Sequence, residues 1–265
     1  ARATVRHVRK LAWIAVLGAA AAIAVSVGSA PASAHARCSS HPKVGSLPRW
    51  RSAGLLRADI DGDGRPDTVT VRYAPHVPGR CAFYLVASTA TRLYSLQLGP
   101  RVLFMSKEDV KAPVRRSIWA WAFPTVEAIV DLGGRGNVVV LSVGEGAANL
   151  GVSLFGVVDG RLRLLPVGGR RNLWPGGSVM DQSRLRCRSG GPLQDLFVDN
   201  VATRKHPNRW RFSSVTYRRR GTRFVALAHR AVIGSNRKAS RAGERAGING
   251  YEFAGCSLRR NSSFK

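Results

Sequence analysis

Residues 58–71 read ADIDGDGRPDTVTV, and this stretch limits the fold more than any other. Asp59, Asp61, Asp63 and Asp67 place four carboxylates within nine residues, with Gly62 and Gly64 between them. Glycine is suited to a turn in which a Cβ would strain the backbone. Pro66 stiffens the last bend. The turn then runs straight into an alternating segment. Val69, Val71 and Tyr73 fall on one face, and Thr70 and Arg72 on the other, as in a half-buried strand.

The rest of the chain is basic, with 42 Lys and Arg against 15 Asp and Glu, a formal charge of +27. More than a quarter of the acid therefore sits in one loop, where like charges repel. A bound cation offsets that repulsion most simply. Calcium is hard and takes about six to eight oxygens in flexible geometry. Asp59, Asp61, Asp63 and Asp67 stand at positions 1, 3, 5 and 9 of the loop, and Arg65 at position 7 can offer its backbone carbonyl. A helix–loop–helix calcium site does not fit. Position 12 is Thr70 rather than a bidentate Glu, and a strand follows where that site needs a helix.

Helical periodicity is scarce elsewhere. Short apolar runs recur at Phe83–Leu85, Thr91–Leu98, Ile118–Phe123, Val126–Val130 and Val138–Val143. Asp159-Gly160 between two apolar runs is a strong hairpin signal, and a second hairpin is expected across Arg219–Thr222. Residues 99–117 and 233–247 read as loops. The expected fold is all-β, built from small antiparallel sheets and propeller-blade-like units without a full seven-bladed ring. A weak repeat supports this reading. DLGGRGNVVVL begins at Asp131, 72 residues after Asp59, with the same Asp, glycine turn and Val-rich run. Gly133 and Arg135 replace two carboxylates there, so this copy is expected to bind no calcium. A third turn around Gln194–Asn200 is too divergent to count.

The first residues resemble an export signal. Arg2, Arg6, Arg9 and Lys10 precede an apolar stretch from Leu11 to Gly28, and Ala34 and Ala36 flank His35. Cleavage is expected after Ala36, with an uncleaved anchor as the alternative. Segment 1–36 carries four basic and no acidic residues, so its removal lowers the charge from +27 to +23. The expected organisation is a signal peptide at 1–36 and a β domain at 37–232. A basic, partly flexible segment tied by Cys256 follows at 233–265. The protein is expected outside the cell or at its surface, without stable membrane insertion after cleavage. Cys38, Cys81, Cys187 and Cys256 make an even count in an exported chain and suggest two disulfides. Three pairings are possible. Position along the chain favours Cys38–Cys81 and Cys187–Cys256.

The Asp59–Asp67 loop leading into a Val-rich strand resembles an FG-GAP/VCBS-type repeat, the calcium-loop blade of integrin-like propellers. The resemblance implies a mainly β fold. It also implies calcium held by Asp59, Asp61, Asp63, the Arg65 carbonyl and Asp67. DLGGRGNVVVL, VSLFGVVDGRLRLL, GGSVMDQSRLRC and SSVTYRRRGTRFV are similar to stretches of small exported actinobacterial proteins that carry such a repeat.

Little points to an enzyme. His41, His76, His206 and His229 have no metal-ligand spacing, and neither a nucleophile elbow nor a phosphate-binding glycine loop occurs. Asp195 and Asp199 could serve a hydrolase, but on a strand they share one face. The positive charge predicts attraction to polyanions such as cell-wall polymers, without specific nucleic-acid recognition. Arg218, Arg219 and Arg220 form one candidate patch, and Arg237, Lys238 and Arg241 another. The leading expectation is a secreted, calcium-binding β domain with a structural or binding role. An exported polyanion-binding protein with incidental calcium is the alternative.

Overall fold

The computed structural model describes residues 51–75, 77–114, 123–145, 149–177, 181–250 and 252–260. The expected signal segment at 1–36, Cys38, His41, His76 and most of the run Ile118–Phe123 lie outside the described residues.

Three small antiparallel sheets form, with no closed barrel among the described residues. The first comprises β1 (Arg51–Ala58), β2 (Asp67–Tyr73), β3 (Phe83–Ser88) and β4 (Leu93–Gln97) in sequence order, with the short helix α1 (Gly79–Ala82) between β2 and β3. Helices α2 (Pro100–Leu103) and α3 (Lys107–Lys111) follow. The second sheet runs β5 (Thr125–Val130), β6 (Val138–Glu145), β7 (Leu150–Val158), β8 (Arg161–Leu164). The third holds β9 (Gly176–Gly177), β10 (Asp181–Cys187), β11 (Leu193–Asn200), β12 (Trp210–Arg220) and β13 (Arg223–Gly234). Helix α4 (Asn236–Ala246) comes next, and β14 (Ser257–Arg260) returns to pair with β5 at the edge of the second sheet.

The pattern of β6 explains how the sheets stack. Its residues Val138 to Leu141 are all fully buried, so the strand does not alternate. Val139, Leu141 and Val143 join Val69, Val71, Phe83 and Leu85 of the first sheet, and Ile60 of its β1–β2 loop, in one core. Val138 and Val140 join Leu185, Leu193, Tyr217 and Phe224 of the third sheet in another. A strand apolar on both faces is one covered on both faces. The second sheet is therefore the middle layer. The first core also takes in Phe123, whose ring meets Tyr73 edge-on at 4.6 Å.

The Asp159-Gly160 hairpin forms as expected, with both residues at positive φ (51° and 66°) as its primed turn requires. The hairpin across Arg219–Thr222 also forms, and its strands run longer than expected, to Arg220 and out to Gly234. Two stretches read as loops are partly helical. In 99–117, α2 starts on Pro100, and α3 carries a capping box between Ser106 and Asp109. In 233–247, Ser235 caps α4 and Gly247 ends it in the left-handed conformation. The buried side of α4 is made by Ala239 and Gly243, too small to register as hydrophobic periodicity. The third turn placed at Gln194–Asn200 is a correction: those residues lie in strand β11.

Cys187 and Cys256 form a disulfide as expected, with Cα atoms 5.5 Å apart, fastening β14 to the third sheet. Cys81 is also disulfide-bonded.

Candidate cation site

The acidic loop is the β1–β2 connection, residues 59–66, closed by Asp67 at the first position of β2. Its carboxylates build the turn. Asp59 accepts from the Gly62 N–H at 2.7 Å through Oδ1 and from the Gly64 N–H at 2.8 Å through Oδ2. Asp61 accepts from the Asp63 N–H at 3.3 Å, and Asp63 from the Arg65 N–H at 2.8 Å. These are local turns in which a side chain replaces a backbone acceptor. Gly62 and Gly64 sit at φ of 80° and 84°, which explains the residue type at both positions.

Asp67 differs from the others. It is 1% exposed, and its Oδ2 accepts from the buried Ile60 N–H at 2.9 Å. Its Oδ1 is buried with no hydrogen-bond partner. A buried acceptor left unpaired costs about 1–3 kcal/mol, and more when charged. Burial pushes the Asp67 carboxyl up from its ordinary range, and the charges of Asp61 and Asp63 push the same way, against the backbone N–H groups of Ile60 and Asp61. One carboxylate oxygen from each of Asp59, Asp61 and Asp67 lies within 4.8 Å of the others. Asp63 and Arg65 are exposed and stand outside this cluster. None of the four loop carboxylates takes an arginine or lysine partner among the described residues. That is unexpected in a chain with 42 such cations. Three converging carboxylate oxygens, one of them buried, suit a hard divalent cation rather than a thiolate- or imidazole-loving one.

The second copy of the turn, residues 131–137, connects β5 to β6 and docks on the first. The Asn137 backbone N–H and side-chain amide both donate to the Asp59 carbonyl, the former at 3.1 Å. A Cβ on Gly136 would collide with the Ile60 carbonyl, and one on Gly62 would come 2.7 Å from Cγ of Arg135. Arg135 thus lies against the first loop through its aliphatic stem. A third loop, 188–192, connects β10 to β11 and docks on the second. Ser189 Oγ donates to Asp131 at 2.6 Å, and a Cβ on Gly133 would meet the Gly190 carbonyl at 2.8 Å. Each sheet thus carries a glycine-bearing loop between two consecutive strands, and the loops dock in series, the first on the second and the second on the third. The third lacks an acidic residue, and the sequence carried only its Gly190-Gly191 pair as a signal.

The basic residues separate into different settings. Arg218 and Arg220 are exposed at the end of β12. Arg219 points the other way and donates to the carbonyls of Gly136 at 3.0 Å and Val157 at 3.4 Å. Burial lowers the pKa of its guanidinium. Arg237, Lys238 and Arg241 are exposed on α4. Of the acids weighed for catalysis, Asp195 pairs with Arg170 and Asp199 with Arg211. Sequence reasoning passed over Glu252. It accepts from the Leu185 N–H at 2.8 Å and pairs with Arg184 at 2.8 Å, and burial pushes its carboxyl up to about 7. No local motif marks it, because its partners lie 67 residues and more away in sequence.

Compared with known proteins, the chain matches no family model, no curated protein and no solved structure.

Proposed function

We propose that the chain is a divalent-cation-binding β domain in which calcium clamps the 59–67 loop, with a structural or binding role outside the cell. One observation carries the reading: Asp67, buried and with one oxygen lacking a partner, converges with two more carboxylates in a loop that no arginine among the described residues neutralises. A cation there would pair the orphan oxygen and offset both the burial and the neighbouring charges that raise the Asp67 pKa. Calcium fits better than magnesium. The donors are all oxygens on a glycine-hinged turn, while magnesium demands stricter octahedral geometry and keeps its waters. The succession of three sheets, each carrying one docked glycine loop, supports a repeat of the FG-GAP/VCBS kind. The Cys187–Cys256 disulfide supports an oxidising compartment.

The test is a calorimetric titration of the metal-stripped, oxidised chain with calcium, followed by thermal melts. One binding site is expected. At about 100 times Kd the ion should add about 2.7 kcal/mol, which raises Tm by roughly 5–10 °C for a domain of this size. A folded sample that gives neither heat nor a shift in Tm overturns the reading.

A further inference from the structure

The outer face of the third sheet carries a second feature, remote in sequence from the acidic loop. Between α4 and strands β10–β13 lies a groove of about 930 Å³. Arg237, Lys238, Arg241 and Arg245 of α4 line one wall, and Arg230 of β13 stands on the sheet side. Gln194, Ser214 and Thr216 supply a polar floor. Among the described residues no aspartate or glutamate lines the groove. Arg186 of β10 also lines the groove and donates to the Ala246 carbonyl, whereas none of the other five cationic side chains takes an ion pair or hydrogen bond among the described residues. Arginines elsewhere in the chain do find carboxylates, as Arg170, Arg184 and Arg211 show.

The placement of these cations works against the helix that carries them. Arg237 and Lys238 occupy the first turn of α4, which has no acidic residue, and the helix dipole disfavours positive charge there. Arg237, Arg241 and Arg245 repeat every four residues, so like charges stack along one face. Each step rises about 6 Å along the axis. A row of evenly spaced guanidinium groups beside hydroxyl and amide donors meets a ligand with repeating charges better than it meets a lone ion. Guanidinium forks grip phosphate oxygens in pairs. Phe212 in the lining is 2% exposed and belongs to the core with Leu196 and Val198, so it offers no platform for stacking. The exposed ring in the lining is His229 of β13, a single imidazole beside a row of cations, so charge rather than stacking dominates the groove.

We propose that this groove binds a linear phosphate polymer without nucleobases. The probe is short-chain inorganic polyphosphate, titrated without added divalent cations into the full chain at several salt concentrations, since polyphosphate itself chelates calcium. R237Q with R241Q is expected to weaken binding at least tenfold and to flatten the salt dependence by about one unit of slope per cation removed. R218Q with R220Q removes the same charge from the exposed end of β12 and should change affinity less than twofold. A second pair, K238Q with R245Q, should repeat the first result, and melts of all three should match the parent. Equal weakening by all three pairs would overturn the groove in favour of diffuse charge. Absence of polyphosphate binding would overturn it outright. Single-stranded DNA of equal phosphate number binding as tightly as polyphosphate would reject a base-free ligand. Calcium titration of R237Q/R241Q should be unchanged, so this proposal and the cation site fail separately.

Discussion

The loops at 59–67 and 131–137 occupy the same place in adjacent sheets, yet only the first is acidic. Both begin with an aspartate that accepts backbone N–H groups, Asp59 from Gly62 and Gly64 and Asp131 from Gly133. Both turn on glycines at positive φ. One aspartate and two or three glycines therefore suffice for the turn. Asp61 and Asp67 each accept one backbone N–H as well, from Asp63 and Ile60, but the second turn closes without counterparts to them, and they are the residues that converge with Asp59. The second loop ends in Asn137 where the first ends in Asp67. Asn137 reaches across to the Asp59 carbonyl, whereas Asp67 keeps one oxygen free. The same turn can thus be closed by an internal amide or left open for an ion.

The largest test of this contrast is Asp67→Asn. In calcium the variant should lose the whole ion-dependent increment, about 2.7 kcal/mol at 100 times the parent's Kd. In metal-free buffer it should be at least as stable as the parent, because a neutral amide escapes the cost of a buried charge. Paired melts with and without calcium read this change of sign. A variant destabilised equally in both would make Asp67 merely structural.

Gly136→Ala tests the docking of the two loops. The residue has a φ of 73°, and its Cβ would strike the Ile60 carbonyl. A loss of about 1–3 kcal/mol is expected by denaturant unfolding. Gly64→Ala, at a φ of 84° but with open space around it, should cost less. Equal costs would mean that backbone conformation, not contact between loops, sets the requirement.

A smaller effect should appear with pH. The folded Asp67 carboxyl titrates above its ordinary value of 3.8, so the folded state holds its proton more tightly than the unfolded chain. Metal-free stability should therefore fall as pH rises from 3.8 through the raised folded value. With calcium present the slope should reverse across the same window, because the ion binds the ionised form. Melts in acetate buffers, with and without calcium, test both slopes. Parallel slopes would break the link between Asp67 and the ion.

The smallest effect is expected for Arg135→Asp, which returns one carboxylate to the second loop. Titration should still find one calcium site, with stability within about 0.5 kcal/mol of the parent. Gly133 cannot supply the next ligand, since its Cβ would lie 2.8 Å from the Gly190 carbonyl. A second site in the titration would show that charge alone separates the loops.

Much of this was legible where local chemistry decides structure. The alternation from Thr68 to Tyr73, the Asp159-Gly160 turn and the glycine-spaced acidic loop each act over a few residues, and each formed. Structure set by distant partners was not legible. Helix α4 packs Gly243 so close to Val198 and Ile248 that small residues are required, and small residues leave no apolar stripe to read. Arg218, Arg219 and Arg220 look alike in sequence, but strand alternation turns Arg219 inward onto the carbonyls of two other segments. Likewise four aspartates looked equivalent as ligands. Only the register of β2 buries Asp67 while leaving Asp63 in water.

The pairing of β14 with β5 bears on how such a chain acquires its shape. Ser257 lies beside Val130, so the middle sheet recruits its last strand from more than a hundred residues downstream. Contacts of that sequence separation form late, because a long loop must close before they reward the chain. Until then β5 presents bare N–H and C=O groups along one side, the geometry that invites pairing with a neighbouring molecule. During synthesis the first and second sheets can assemble early, yet the assembly stays adhesive until residues 257–260 arrive. The Cys187–Cys256 bond then acts as a latch, holding the late strand next to the edge it must shield.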